Sequence, residues 1–271
     1  MQLPRMIVTD LDGTLLPESK VLPQRTIDVL MSLREQGVVI ALATGKFYHL
    51  TRRYADQLGD STPVVALDGA RIHTGNGGNF SEGIDRNVVE ALLGQYDAPH
   101  LSMFADSGND EMLLRAPDAE IPPAISAWAS DIRRVEDARA HLTGDPALLS
   151  FYGPDRVEVD TIAHTVKNDY PGLRAGVFPT TAYGEARVVF QQRGITKGTG
   201  VKKLCDILAI SPDECMVFGD WHNDRPMFKQ GFVNVAMRNA VPELLENAHH
   251  VTNLDNEHEG VADFLASHFL N

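Results

Sequence analysis

Two aspartates one residue apart, Asp10 and Asp12, follow the apolar run Met6-Ile7-Val8-Thr9 and precede Gly13-Thr14. Carboxylates this close repel each other. They stay ionised together only when a cation or a strong donor set compensates, and such oxygen ligands suit a hard divalent ion such as Mg²⁺. One carboxylate can then attack phosphorus while the other handles a proton. A solvated Asp-rich turn is the plain alternative. A calcium loop fails: counted from Asp10, Leu15 stands where that loop needs glycine, and Val21 where it needs a bidentate glutamate. A second acidic group lies far downstream, in Gly219-Asp220-Trp221-His222-Asn223-Asp224. If a short helix or turn begins there, Asp220 and Asp224 face one point with Asn223 beside them and supply further oxygen ligands. His222 reads as a neutral loop histidine, since the oxygen ligands suffice and no second His stands at metal-site spacing. Lys197 opens a helical stretch, where the macrodipole disfavours a cation; a local anion or simple solvation would account for it. Thr44, before Gly45, can hydrogen-bond an anion at a sheet edge or cap the next helix.

These residues need one sheet edge to hold them. Met6–Thr9 is β-branched and apolar and reads as a buried strand that ends where the acids begin. Leu22–Glu35 carries Ile27, Leu30, Met31 and Leu33 at helical spacing, and Gly37 stops it. Val38–Ala43 is a continuous apolar run, the pattern of a strand covered on both faces. It ends in Thr44-Gly45-Lys46, before a helix around His49–Leu58. Pro63–Leu67 is a third strand, and Asp68-Gly69 after it reads as a turn. Asn76-Gly77-Gly78-Asn79 is a further turn without the Lys-Ser/Thr of a phosphate-binding loop. From there to about residue 190 the β-α alternation lapses. Val88–Leu93, Ile121–Ala129 and Arg156–Asp169 look helical; Leu101–Ala105, Glu111–Leu114, Ala147–Tyr152, Leu173–Val177 and Ala186–Gln191 look like strands, together an α+β layer. Gly108-Asn109-Asp110-Glu111 is a polar turn. The alternation then returns: helix Thr199–Leu208, strands Cys215–Phe218 and Phe232–Val235, helix Pro242–Ala248, the short strand Val251-Thr252 and a closing helix from Gly260.

The string DLDGTL at Asp10–Leu15 resembles the first motif of the haloacid-dehalogenase superfamily of aspartate-nucleophile phosphatases. Thr44-Gly45 resembles the second motif, with Lys46 where an arginine is frequent, and Lys197 resembles the third. GDWHNDRPMF from Gly219 resembles the fourth in its Cof-type form. The tail, with Asn239-Ala240, Val251-Thr252 and Gly260-Val261-Ala262, is similar to the same class. At Asp68 that class often has Asn, and Trp221 is larger than its usual occupant, which would narrow the mouth of the site. The resemblance implies an α/β fold: a Rossmann-like parallel-sheet core from 1–81 and 191–271, and an α+β cap domain from 82–190 that closes over it. It implies Asp10 as nucleophile, Asp12 as acid and base, and Thr44 and Lys197 as stabilisers of the transferring group. Mg²⁺ would be held by Asp10, Asp12 (through its carbonyl), Asp220 and Asp224. Thr44, Gly45, Lys46, Asn223 and Asn239 would line the substrate; read alone, Asn239 is a turn residue. The implied activity is hydrolysis of a small phosphorylated metabolite, with sugar phosphates as the class expected. A phosphomutase or phosphotransferase would share the aspartyl phosphate, and a non-catalytic phosphometabolite sensor would share the site.

The 271 residues are 43% hydrophobic and 23% charged, a globular balance with room for one large or two modest domains. A net charge of −13 argues against nucleic acid and anionic membrane as partners. A phosphorylated substrate must therefore be drawn in by a local metal and lysine. No run approaches the roughly 18 apolar residues of a membrane span. Met1-Gln2-Leu3-Pro4-Arg5 has no apolar signal stretch, so a cytoplasmic protein is expected, a monomer or weak homodimer. Cys205 and Cys215 read as buried free thiols.

Overall fold

The computed structural model describes residues 1–116, 131–179 and 186–270. They form two compact units: Met1–Ser81 with Ile195–Asn271, and Glu82–Gly194. The second crossing lies beyond 190 because the last strand of the inserted unit runs to Gln192, paired throughout.

The chain opens with β1 (Met6–Thr9), α1 (Gln24–Glu35), β2 (Val39–Ala43), α2 (Tyr48–Gln57), β3 (Val64–Ala66), β4 (Arg71–His73) and β5 (Asn79–Ser81). The inserted unit holds α3 (Arg86–Tyr96), β6 (Ser102–Asp106), β7 (Met112–Arg115), β8 (Ile132–Arg134), β9 (Leu149–Gly153), α4 (Arg156–Asp169), β10 (Leu173–Pro179) and β11 (Ala186–Gln192). The first unit is completed by α5 (Lys197–Leu208), β12 (Cys215–Gly219), β13 (Val233–Ala236), α6 (Pro242–Leu245), β14 (His250–Val251) and α7 (Gly260–Phe269). The expected helix Ile121–Ala129 lies outside the described residues.

The first unit is built on an eight-stranded sheet in the order β14-β13-β12-β1-β2-β3-β4-β5. It is parallel from β14 to β3, and β4 and β5 add an antiparallel edge. The apolar runs are unbroken because both faces are covered. On β1, Ile7 joins the core with α1 and α7, while Met6 and Val8 join the core with α5. Ile40 and Leu42 against Ala41 and Ala43 on β2, and Met216 and Phe218 against Cys215 and Val217 on β12, divide in the same way. The Val, Leu, Ile, Met and Phe side chains among these contribute roughly 1.5–3 kcal/mol each when fully buried. The chain is thus an α/β protein with a parallel-sheet core. No described helix is long and apolar enough to cross a membrane.

The inserted unit has its own six-stranded sheet, β10-β11-β9-β6-β7-β8, antiparallel except for β7 with β8. Val89, Leu92 and Leu93 of α3 and Val159, Ile162 and Val166 of α4 pack on Leu149, Phe151, Val188 and Phe190 of the strands. Gly108-Asn109-Asp110 is the turn between β6 and β7, closed by the Asp110 amide donating to Asp106 Oδ1 at 3.1 Å.

Candidate active site

Asp10 continues β1 by one residue: its amide donates to the Phe218 carbonyl of β12 at 3.2 Å. The chain then turns tightly on Leu11, whose carbonyl accepts from the amides of Thr14, Leu15 and Leu16. Gly13 has φ +79°, and a Cβ there would come within 2.3 Å of Asp220 Oδ2, so glycine is required by conformation and by space. The turn is tied to β12 by the Thr14 hydroxyl, which donates to Asp220 Oδ1 at 2.7 Å.

Lys197 is the first residue of α5. The Thr196–Thr199 capping box satisfies the helix start and offsets an unfavourable cation there. The Lys197 side chain is 1% exposed, and Nζ donates to Asp10 Oδ1 and to Asp224 Oδ1, both at 2.7 Å. Burial opposes the ammonium, but Asp10, Asp224 and Asp68 outweigh it and hold Lys197 protonated well above the usual lysine range. The other oxygen of Asp224 accepts from the amides of Asp220 (2.9 Å) and Trp221 (3.0 Å), through the 3-10 turn His222–Asp224. Asp224 is therefore fully engaged in holding the site together. One carboxylate oxygen from each of Asp10, Asp220 and Asp224 lies within 4.8 Å of the others, all three residues buried. Burial, less the pull of Lys197 and with Asp224 adding to it, pushes the Asp10 carboxyl up to about 7. Burial likewise pushes Asp220 up to about 6, against the Thr14 hydrogen bond. Three buried carboxylates on one buried ammonium leave two negative charges over, which a divalent cation with oxygen preference would offset. The donor set fits Mg²⁺.

Asp12 is not part of this cluster. Sequence assigned a metal role to its backbone carbonyl; its side chain pairs with Lys20 (2.8 Å) and with Lys46. The turn on Leu11 takes the chain out of the strand at this point, and the two ammonium groups hold the carboxylate. Lys20, which sequence reasoning missed, offered only its place in the polar loop eight residues on. Burial draws the Lys46 ammonium below its ordinary value, against the opposing pull of Asp10.

Thr44 is buried at the end of β2, and α2 begins at Tyr48 after Phe47, so Thr44 is not that helix's cap. Its carbonyl accepts from the Asp68 amide, and the Lys46 carbonyl from the Leu67 amide, each at 3.0 Å. These bonds hold Leu67 (φ 50°) and Asp68 (φ 54°) in the left-handed region, a strained pair at the edge of the site. Asp68 thus forms the β3–β4 turn, as expected, and also reaches the site: Oδ1 accepts from Asn223 Nδ2 at 3.0 Å and lies over Gly45. Asn239 sits apart. Its Nδ2 donates to the Gly13 carbonyl at 2.8 Å and its Oδ1 accepts from the Asn256 amide, so Asn239 ties the Gly13 turn to Asn256. His222 lies at the surface beside Glu243, and Trp221 is 56% exposed. Cys205 and Cys215 are buried and free.

The description "haloacid dehalogenase-like hydrolase" belongs to the family model that matches residues 7–265. The 5-amino-6-(5-phospho-D-ribitylamino)uracil phosphatase YitU of Bacillus subtilis is 25% identical over 282 residues, spanning 98% of each chain. The HMP-PP phosphatase of Cronobacter sakazakii is 28% identical, over 98% of this chain and 96% of its own. A haloacid dehalogenase-like hydrolase from Bacteroides thetaiotaomicron, 24% identical, shares the fold with a TM-score of 0.83 over 98% of this chain and 100% of its own. With a match from the first strand to the last helix, the chain belongs to the haloacid dehalogenase-like hydrolase family.

Proposed function

We propose that the protein is a Mg²⁺-dependent phosphatase of small phosphorylated metabolites, working through an aspartyl phosphate on Asp10. The observation that carries this reading is the buried Asp10–Lys197–Asp224–Asp220 cluster at the carboxyl ends of β1 and β12. Two relatives named as phosphatases of different phosphorylated compounds support the substrate class. The Asp10 carboxylate forms a bond to phosphorus as the ester P–O bond breaks. Asp12 gives its proton to the leaving alcohol, then takes one from the water that attacks the aspartyl phosphate. Phosphate leaves and Asp10 is restored. Lys197 orients Asp10 and, with Thr44, stabilises charge on the transferring group. Asp10 and Asp220 would hold the ion beside the Asp12 carbonyl, with Asp224 fixing their loop; when bound, it supplies positive charge against the carboxylates and the phosphoryl oxygens.

The test is phosphate release from an aryl phosphate and a panel of phosphorylated metabolites, with Mg²⁺ and with chelator. Release in Mg²⁺ should fall to background in chelator. Isomerised sugar phosphate without free phosphate would indicate a mutase. Neither outcome, with Mg²⁺ still bound, would indicate a sensor.

Metal and protons compete for the same oxygens. With Asp10 near 7 and Asp220 near 6 in the metal-free protein, Mg²⁺ affinity should rise between about pH 5.5 and about pH 7.5. Stability runs the other way. A carboxyl raised from 3.8 to about 7 contributes stability that is complete below pH 3.8 and lost as pH climbs through 7. Thermal unfolding in chelator should therefore give a higher Tm at about pH 5 than at about pH 7.5, with Mg²⁺ closing the gap at the higher pH. A metal-free Tm that rises over this range would contradict the assignment.

A further inference from the structure

Lys20 is fixed at both ends of its backbone. Its amide donates to the Pro17 carbonyl at 3.0 Å, closing a tight turn, and its carbonyl accepts from the Tyr54 hydroxyl of α2, also at 3.0 Å. Tyr54 is buried, and the Arg53 guanidinium carbon lies 4.6 Å from the centre of its ring. Lys20 itself has φ +57°. Lysine rarely adopts this left-handed conformation, since it lacks the short polar side chain by which Asn or Asp eases it. Strain of this kind persists where the surroundings hold it in place, and it gathers at functional sites. From this anchored turn, Nζ donates to Asp12 Oδ1 at 2.8 Å.

Lys46 takes the other oxygen, Oδ2, from a different setting. It stands two residues beyond Thr44, its amide donates to the Thr44 hydroxyl at 3.2 Å, and its ammonium feels the attraction of Asp10. Its side chain is 23% exposed, against 48% for Lys20. Lys46 therefore approaches Asp12 from the side of the nucleophile, and Lys20 from the side of solvent. With both ammonium groups in place, neither carboxylate oxygen is free to carry a proton to a leaving alcohol. A phosphoryl group arriving at Asp10 offers Lys46 a second anion. Once Lys46 turns to it, Oδ2 is released. The Asp12 side chain is 39% exposed, and the last torsion of an aspartate is broad, so the carboxyl would swing unless its other oxygen were held.

We infer that Lys20 is a positioning residue for proton transfer by Asp12: it keeps hold of Oδ1 while Lys46 passes from Oδ2 to the phosphoryl group, leaving Oδ2 as the atom that serves the leaving oxygen. The inference rests on the phosphatase reading with Asp12 as its acid. In the step it supports, the Oδ2–H bond breaks as the alcohol O–H bond forms. The leaving oxygen keeps the electron pair of the P–O bond, and Asp12 is left a carboxylate.

The test uses the full chain in Mg²⁺ with two esters. One is p-nitrophenyl phosphate, whose phenolate departs without a proton; the other is the best-cleaved ester of an aliphatic alcohol, whose oxygen needs one. Lys20→Met keeps an unbranched side chain and removes the ammonium. Its kcat/KM should fall about tenfold on the aliphatic ester and less than about twofold on p-nitrophenyl phosphate, because misplacing the acid penalises only the leaving group that depends on it. An exposed pair contributes little to folding, so Tm should stay at the wild-type value. Lys20→Arg should recover most of the loss. Equal losses on the two esters, as a structural role or a direct substrate contact would give, overturn the inference and leave the phosphatase standing. So does no loss on either. Asp12→Asn is the reference: it should show the same bias more strongly, and an Asp12→Asn protein without the bias removes the acid on which the inference rests. A wild-type protein that cleaves neither these esters nor any other overturns the phosphatase reading itself, and the inference with it.

Discussion

Asp10→Asn should lower kcat by at least about 10⁴-fold and leave the protein folded and no less stable. The amide keeps the shape of the carboxylate but cannot form the aspartyl phosphate. Folding should tolerate the change because the cluster holds negative charge in excess. Lys197 keeps Asp224 as a 2.7 Å partner, and one of three buried carboxylates is gone. Desolvation dominates at this position, raising the carboxyl to about 7, so a neutral side chain removes a cost rather than a support. Single-turnover phosphate release read beside Tm in chelator separates the two effects. Activity near that of the wild-type protein would show that Asp10 is not the nucleophile; lost activity with a Tm well below it would show only that the site had collapsed.

The opposite substitution in the same cluster should act on folding. Lys197→Met keeps an unbranched side chain one atom shorter and removes the only described ammonium that touches Asp10 and Asp224. Their carboxylates then stay buried with no cation between them. Breaking a buried pair from one side costs about 3–5 kcal/mol, and among the described ion pairs none is more buried than this one. Urea unfolding at about pH 7.5 should show that loss, smaller at about pH 5 where Asp10 takes a proton. Saturating Mg²⁺ should return part of it, about 2.7 kcal/mol at a hundredfold excess over Kd. Turnover should fall by about 10²–10³-fold in the protein that remains folded. An unchanged midpoint at both pH values would mean that Lys197 does not compensate these acids in solution.

The parts of the fold that sequence reveals are those where burial alone decides. Val38–Ala43 and Cys215–Phe218 are apolar at every position because they are covered on both faces, and each stops where polar residues take up the site. Arg156–Asp169 repeats its apolar residues at helical spacing and forms α4 with those bounds. The strand β8 (Ile132–Arg134) has no buried residue, and β5 (Asn79–Ser81) is wholly exposed; neither has an apolar pattern to read. Within the site, the acids and Lys197 stand out because charges at strand ends and helix starts conflict with local preference. Asp68 does not. Its turn chemistry is complete without the hydrogen bond from Asn223, which lies 155 residues away. The pairing of Asp12 with Lys20 and Lys46 likewise depends on how the chain leaves β1, and spacing says nothing of that.

The central position of β1, between β2 and β12, sets an order of events in synthesis. Asp10 is made early, but the Lys197 that holds it lies 187 residues on, and the Thr14–Asp220 bond spans 206. At roughly 5–20 residues per second, about 10–40 s separate the two halves of the site. Through that interval the whole inserted unit emerges with its own core, while β1 keeps one edge unpaired. An open apolar edge is a template for association with other chains, so a nascent chain is exposed to aggregation at β1 until β12 has been made. A chain truncated before β12 would carry Asp10 and Lys197 but lack Asp220 and Asp224, two of the three acids of the buried cluster.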